Sequence, residues 1–149
     1  SDEALAAYNR LLEVEFEAEG WSDVIANASR AKAINPFNQR LHYCRGCAHA
    51  ALSETGAAVT SFEKALLLNP ANPSEIRFRM AGLLKDEDRP VAKRHLLDAL
   101  ADSPRYQEAH SLLLEIAGSV APDEKAKTDE EEAAGNILVG NILTTTLFK

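Results

Sequence analysis

Apolar and polar positions interleave along most of the chain in amphipathic runs about a dozen residues long, and three of these runs end alike. Ala-Ile-Asn precedes Pro36, Leu-Leu-Asn precedes Pro70 and Ala-Asp-Ser precedes Pro104. The three prolines are 34 residues apart each time (70 − 36 and 104 − 70). Proline pushes the residue before it out of the helical region, so the pattern predicts helices that end at Asn35, Asn69 and Ser103. Each 34-residue unit also breaks near its middle, around Gly20, around Ser53–Gly56 and around Asp86–Pro90. Gly20 suits a left-handed helix end, Ser53 suits a cap, and Asp88 before Pro90 reads as a cap followed by an early helical proline. Each unit is therefore predicted to be two helices of ~12–15 residues joined by a tight turn, a length at which packing must stabilise the helix.

The residues within the units resemble the tetratricopeptide repeat, a helix–turn–helix family with the loose signature W-x2-L-G-x2-Y, then A-x3-F, then P. The second unit matches best: Gly46 stands in the small-residue place, Ala58 and Phe62 form the A-x3-F pair, Ala65 follows and Pro70 closes. His42, Arg45 and His49 replace the aromatic, Leu and Tyr of its first helix. The first unit has Tyr8, Leu11, Ala28, Ala31 and Pro36, with Trp21 opening its second helix; Leu12 replaces the small residue. The third has Ile76, Leu83, Ala92, Leu96, Ala99 and Pro104, with Met80 in the small place. The resemblance implies an all-α fold, a right-handed α-solenoid of repeats 5–38, 39–72 and 73–106 with a further helix over 106–118, together a domain over 1–118. Ala28, Ala58 and Ala92 are expected to bring neighbouring repeats close, and Leu12 and Met80 to need small partners elsewhere.

Composition agrees with this reading. The chain has 149 residues, with 25 Ala and 19 Leu against only 18 Val, Ile and Thr, which disfavours an all-β fold. No apolar run approaches the ~20 residues of a membrane helix, and the polar start Ser1-Asp2-Glu3 shows no signal peptide; the compartment stays open. The net charge of −7 disfavours a non-specific nucleic-acid binder. Residues 1–20 carry six acids and one base, 21–119 carry eleven acids and twelve bases, and 120–149 carry six acids and three bases.

Few residues offer chemistry. Cys44 and Cys47 form a C-x-x-C flanked by His42 and His49, which a zinc reading would recruit together. A mid-helix location favours small, mostly apolar helix residues instead, and a redox motif lacks its strand-to-helix context. His95 and His110 have no partner at a telling spacing, and there is no glycine-rich phosphate loop or H-E-x-x-H. No cofactor, metal site or catalytic constellation is expected. The remaining chemistry is recognition. In the family the first helices line a concave groove that holds peptides, which by register implies Asn9, Glu13 and Phe16, then Arg40, Tyr43, Cys47 and Ala50, then Arg77, Ala81, Leu84 and Lys85. One branch of the family clamps a C-terminal carboxylate with Lys and Asn. Here Asn9, Glu13, Tyr43 and Cys44 occupy that stretch, so this mode is disfavoured.

From Ser119 the pattern breaks. Residues 119–134 read as an acidic linker, with six acids and two Lys in 123–132. Residues 135–149 are apolar, uncharged until Lys149, and hold six of the 18 Val, Ile and Thr. Such a segment needs covering. It is expected to cap the solenoid end, to lie in a groove of its own or a neighbouring chain, or to be a loose end. The expected function is a non-enzymatic scaffold for a protein or peptide partner, with no nucleic acid and no membrane. The alternative is a self-assembling segment of a larger protein, associating through the solenoid ends or 135–149.

Overall fold

The computed structural model describes residues 1–118. Among these described residues seven helices follow one another: α1 (Asp2–Glu17), α2 (Trp21–Ile34), α3 (Gln39–Ala51), α4 (Thr55–Leu67), α5 (Pro73–Leu84), α6 (Arg89–Asp102) and α7 (Gln107–Gly118). The described residues contain no strand. The even helices begin at 21, 55 and 89, and α3, α5 and α7 begin at 39, 73 and 107, so both series advance by 34. The chain divides into two units, Ser1–Leu113 and Leu114–Lys149; the hairpins and both core clusters belong to the first. The predicted linker 119–134 and apolar segment 135–149 lie outside the described residues.

The helix ends follow from local chemistry, with three departures from expectation. Asn35 and Ser103 terminate α2 and α6 ahead of their prolines, as expected, whereas α4 ends at Leu67 with Leu68 as its cap, and the expected end residue Asn69 is left-handed (φ 53°). Asp88 caps α6 by accepting a hydrogen bond from Val91 N (3.2 Å), and Pro90 sits in the first turn. The left-handed residue after α1 is Glu19 (φ 56°), while Gly20 has φ −75° and precedes α2. Ser53 is left-handed too (φ 60°), so Glu54 takes the cap position of α4. Glu19 and Ser53 are 34 residues apart: the turn geometry repeats although no glycine serves it.

Consecutive helices pack from α1 through α6, and α1 also meets α3. Three small residues one repeat apart, Ala31, Ala65 and Ala99, are fully buried. So are Val24, Ala58 and Ala92, which puts Val24, rather than the expected Ala28, in register with the other two alanines. Helices α3 and α4 approach closely at Gly46, where an added Cβ would stand 2.6 Å from the Phe62 ring. Phe62 is fully buried, worth roughly 1.5–3 kcal/mol for that side chain. The first hairpin solves the same contact inversely. Leu12 takes the place of Gly46, and Ala28, at 62 − 34, takes the place of Phe62; both are buried in one cluster. Ala28 is thus the small partner that Leu12 requires. Phe16 and Tyr43 pack against both core clusters and join the first hairpins into one apolar interior.

Candidate functional site

Helices α3, α5 and α7 each start just after a proline turn, and polar residues of two of those turns reach back to the preceding repeat, Asn38 to Asn9 and Ser103 to Ser74. Asn38 caps α3 by accepting from Arg40 N (3.1 Å), and its side-chain amide donates to Asn9 Oδ1 on α1 (3.1 Å). Arg40 also pairs with Glu13 on α1 at 3.2 Å, with both side chains about half exposed. α1 and α3 are therefore linked by an amide pair and an ion pair along one face.

Between α3 and α5 the link is denser. Asn72 precedes α5 but makes no side-chain capping bond. Instead its amide donates to Glu75 Oε2 (2.7 Å), while Glu75 Oε1 accepts from the Tyr43 hydroxyl (2.8 Å) and from Arg79 Nε (2.9 Å). The Arg79 guanidinium lies 5.9 Å from the Tyr43 ring centroid, within cation–π range. Burial by itself would raise the Glu75 carboxyl, but the three donors outweigh it and hold it below the ordinary carboxylate range. Burial, and then the bond to Glu75, push the Tyr43 phenol above its ordinary range. A cavity of about 710 Å³ adjoins this cluster between turns 71–75 and 102–106, and shares Asn72 and Glu75 with it. That volume is within the range of ligand pockets, ~300–1,000 Å³. Ser74 and Ser103, which line it, are hydrogen-bonded at 2.8 Å.

The residues expected to form the face are placed differently from one another. Asn9, Glu13, Arg40 and Tyr43 form the links just described. Phe16 is half-buried and meets Trp21 edge-on at 5.3 Å between centroids. Cys47 and Ala81 are buried, so they support the face from beneath and offer no contact surface. Arg77 turns to its own hairpin, toward Asp98 (3.4 Å) and Asp102 (3.8 Å) on α6. Ala50, Leu84 and Lys85 are half-buried. Sequence reasoning missed Glu75, Arg79 and Asn72. The i, i+4 pairing of Glu75 with Arg79 was visible, but their joint partner Tyr43 lies in the preceding repeat, over 30 positions back.

The histidines and cysteines find structural employment. His42 Nε2 lies 2.9 Å from the Pro36 carbonyl and His110 Nε2 lies 2.8 Å from the Pro104 carbonyl, the same contact two repeats apart. His49 bonds Glu54 across the turn into α4. Burial, and then Arg77 and Arg94, lower the His95 imidazole pKa. Among the described residues no three His, Cys, Asp or Glu side chains group to hold a metal. Both thiols are free and buried; burial pushes Cys44 up to about 11 and raises Cys47 as well. Alkylation by iodoacetamide at pH 7.5 is therefore expected to be slow in the folded chain and fast in urea. Mass spectrometry of timed samples checks this; equal rates in the two conditions would contradict it.

No family model matches the chain. A curated relative, peptidyl-prolyl cis-trans isomerase FKBP4 of Rattus norvegicus, is 26% identical over 133 residues. That match covers 89% of this chain, which spans 29% of the relative's length. Among solved structures, the first TPR of Spaghetti (RPAP3) bound to the HSP90 peptide SRMEEVD superposes with a TM-score of 0.71 at 18% identity, covering 80% of this chain and 94% of that one. The Arabidopsis OM64 TPR domain gives 0.71 at 17% identity, covering 79% and 98%. The Yersinia enterocolitica chaperone SycD, in complex with a peptide of the translocator YopD, gives 0.70 at 17% identity, covering 78% and 95%.

Proposed function

Because the chain has the tetratricopeptide-repeat fold, we propose that it is a recognition module in which the face of α1, α3 and α5 binds a segment of another protein, without catalysis. The observation that carries this reading is the Tyr43–Glu75–Arg79–Asn72 cluster beside the open cavity: ordered polar groups and an aromatic ring, held in place before any ligand arrives. Such pre-ordering lowers the entropic cost of binding. The peptides held by RPAP3 and SycD support the same coarse reading. The finer reading concerns ligand chemistry. Arg40 and Arg79 are each already paired with an acid on the face, and Arg77 with acids of α6. The face therefore favours a segment that offers main-chain hydrogen bonds and apolar side chains over one that relies on a free carboxylate. The groove set is Asn9, Glu13, Phe16, Arg40, Tyr43, Leu84 and Lys85, extended by Asn72, Glu75 and Arg79.

Peptides selected from a random display library against the full chain test this. Asn9→Ala with Arg40→Ala is expected to weaken the selected peptides about tenfold, since each lost polar contact is worth roughly 0.5–1.5 kcal/mol. Asp98→Ala, on α6, is expected to leave them unchanged. Selected peptides that bind the Asn9/Arg40 variant as tightly as the wild type would sink the proposal.

A further inference from the structure

A second surface, away from the α1–α3–α5 face, has features that the repeat architecture does not require. Where α2 runs into α3, beside the end of α4, Pro36, Phe37, Leu67 and Leu68 line a cavity of about 240 Å³ with Lys32 and Lys64. Phe37 is 76% exposed and Leu67 is 84% exposed, the two most open large apolar side chains among the described residues. The repeat register does not call for a large apolar group at either place. The places of Phe37 in the next two repeats hold Ala71 and Arg105, and those of Leu67 hold Ala33 and Ala101. Large apolar groups therefore replace small or charged ones at this junction alone among the described repeats. The wall behind them is fixed, because His42, which also lines the cavity, is tied to the Pro36 carbonyl.

The charge around the cavity has one sign. Lys32 comes from α2 and Lys64 from α4, and among the described residues neither is ion-paired. The volume is below the ~300–1,000 Å³ of small-molecule pockets, and suits the anchoring side chain of a larger partner. An apolar pit between two unengaged cations is complementary to an apolar side chain with carboxylates on either side of it.

We propose that this cavity is a second docking site, for an acidic peptide of another protein that seats one large apolar side chain between Phe37 and Leu67 and places a carboxylate near each of Lys32 and Lys64. The site does not depend on the reading of the α1–α3–α5 face.

The test titrates the isotopically labelled full chain with the blocked peptide Glu-Glu-Leu-Phe-Glu-Glu and follows amide chemical shifts. Shifts are expected to centre on Phe37, His42, Lys64 and Leu67, and to weaken as salt rises. Lys32→Glu with Lys64→Glu is expected to reduce affinity about tenfold, because two attractive pairs become repulsive. Leu67→Ser and the glutamine version of the peptide are expected to do likewise, while Asp98→Ala, on α6, changes nothing. All the altered side chains are exposed or half-exposed, and the Tm of each variant checks its fold. Absence of shifts at millimolar peptide, shifts centred on Tyr43 and Glu75, or indifference to the lysine reversals would each overturn the proposal. So would a concentration-dependent dimer that Leu67→Ser abolishes, which would make the occupant a second copy. A rise of about tenfold in peptide affinity on removal of residues 119–149 would overturn it in favour of the chain's own segment.

Discussion

Gly46→Leu is expected to destabilise the chain by about 3 kcal/mol or more in urea unfolding followed by circular dichroism. A Cβ at position 46 already falls 2.6 Å from the ring of Phe62, and a whole leucine has no room at all. Overpacking of this kind typically costs about 1–3 kcal/mol per insertion, and here the backbone of two helices must part to relieve it. The gain in helix propensity from removing a glycine, about 1 kcal/mol, does not offset that. Phe62→Ala alone leaves a void beside a bare glycine and is expected to cost about 3–5 kcal/mol. The double variant carries the sharper expectation. Gly46→Leu with Phe62→Ala copies the Leu12–Ala28 arrangement that the first hairpin already uses. It should therefore be at least about 2 kcal/mol more stable than the sum of the single losses, within the known range for residues in contact. Strict additivity would show that the two hairpins do not share one packing scheme.

Glu75→Ala is expected to have the second-largest effect, about 2–3 kcal/mol. The carboxylate satisfies Tyr43, Asn72 and Arg79 together, so its removal strands three donors, two of them on half-buried residues. The figure is kept low because the Glu75 side chain is about one-third exposed and water replaces part of what is lost. The pH dependence follows from the direction of the shift. Glu75 binds its proton less readily folded than unfolded, so its contribution is fully present above the unfolded value of about 4.3 and disappears as pH falls through the folded value. Tyr43 works in the opposite sense: the folded chain holds that proton more tightly, so stability declines as pH rises beyond about 10. Tyr43→Phe should flatten the alkaline decline, and Glu75→Gln should flatten part of the acid one. Unfolding curves at pH 3–6 and 9–11 check both, and unchanged slopes in the variants would refute the coupling.

The repeat was legible because its markers are local. A proline after a polar helix end acts on its own neighbours, and three of them at equal spacing define the register without knowledge of any contact. The all-α character and the helix starts follow from the same markers. The turn chemistry was less legible. Gly20 and Ser53 each have the composition for the role expected of them, yet the left-handed positions went to Glu19 and to Ser53 itself, one residue earlier than expected in the first turn. A helix end moves by one residue at little cost, and composition does not resolve that. The partner of Leu12 was readable in principle, since subtracting one repeat from Phe62 lands on Ala28. The Glu75 cluster was not. Its members are Asn72, an apparent cap, Glu75 and Arg79, an apparent surface pair, and Tyr43 from the preceding repeat. Only the packing of α3 beside α5 makes them one unit. Likewise Cys47 and Ala81 keep the register of the face yet lie beneath it, because register specifies a helix side and not the depth of a side chain.

The inverted packing of the first two hairpins has a consequence for how such a chain can be rearranged. Each of the first two hairpins carries its own large-and-small pair, Leu12 with Ala28 and Gly46 with Phe62, while in the third the same two places hold Met80 and Leu96, both large and buried, so Met80 does not meet the small partner expected for it there. A splice in the turn between hairpins keeps every such pair together, and the constant 34-residue advance delivers the next helix in phase. A splice inside a hairpin does not. Joining α1 to α4 would set Leu12 against Phe62, two bulky groups in one space, and joining α3 to α2 would set Gly46 against Ala28 and leave a hole. The indivisible module for shuffling, duplication or grafting is therefore the helix pair, and its seams lie at Pro36, Pro70 and Pro104.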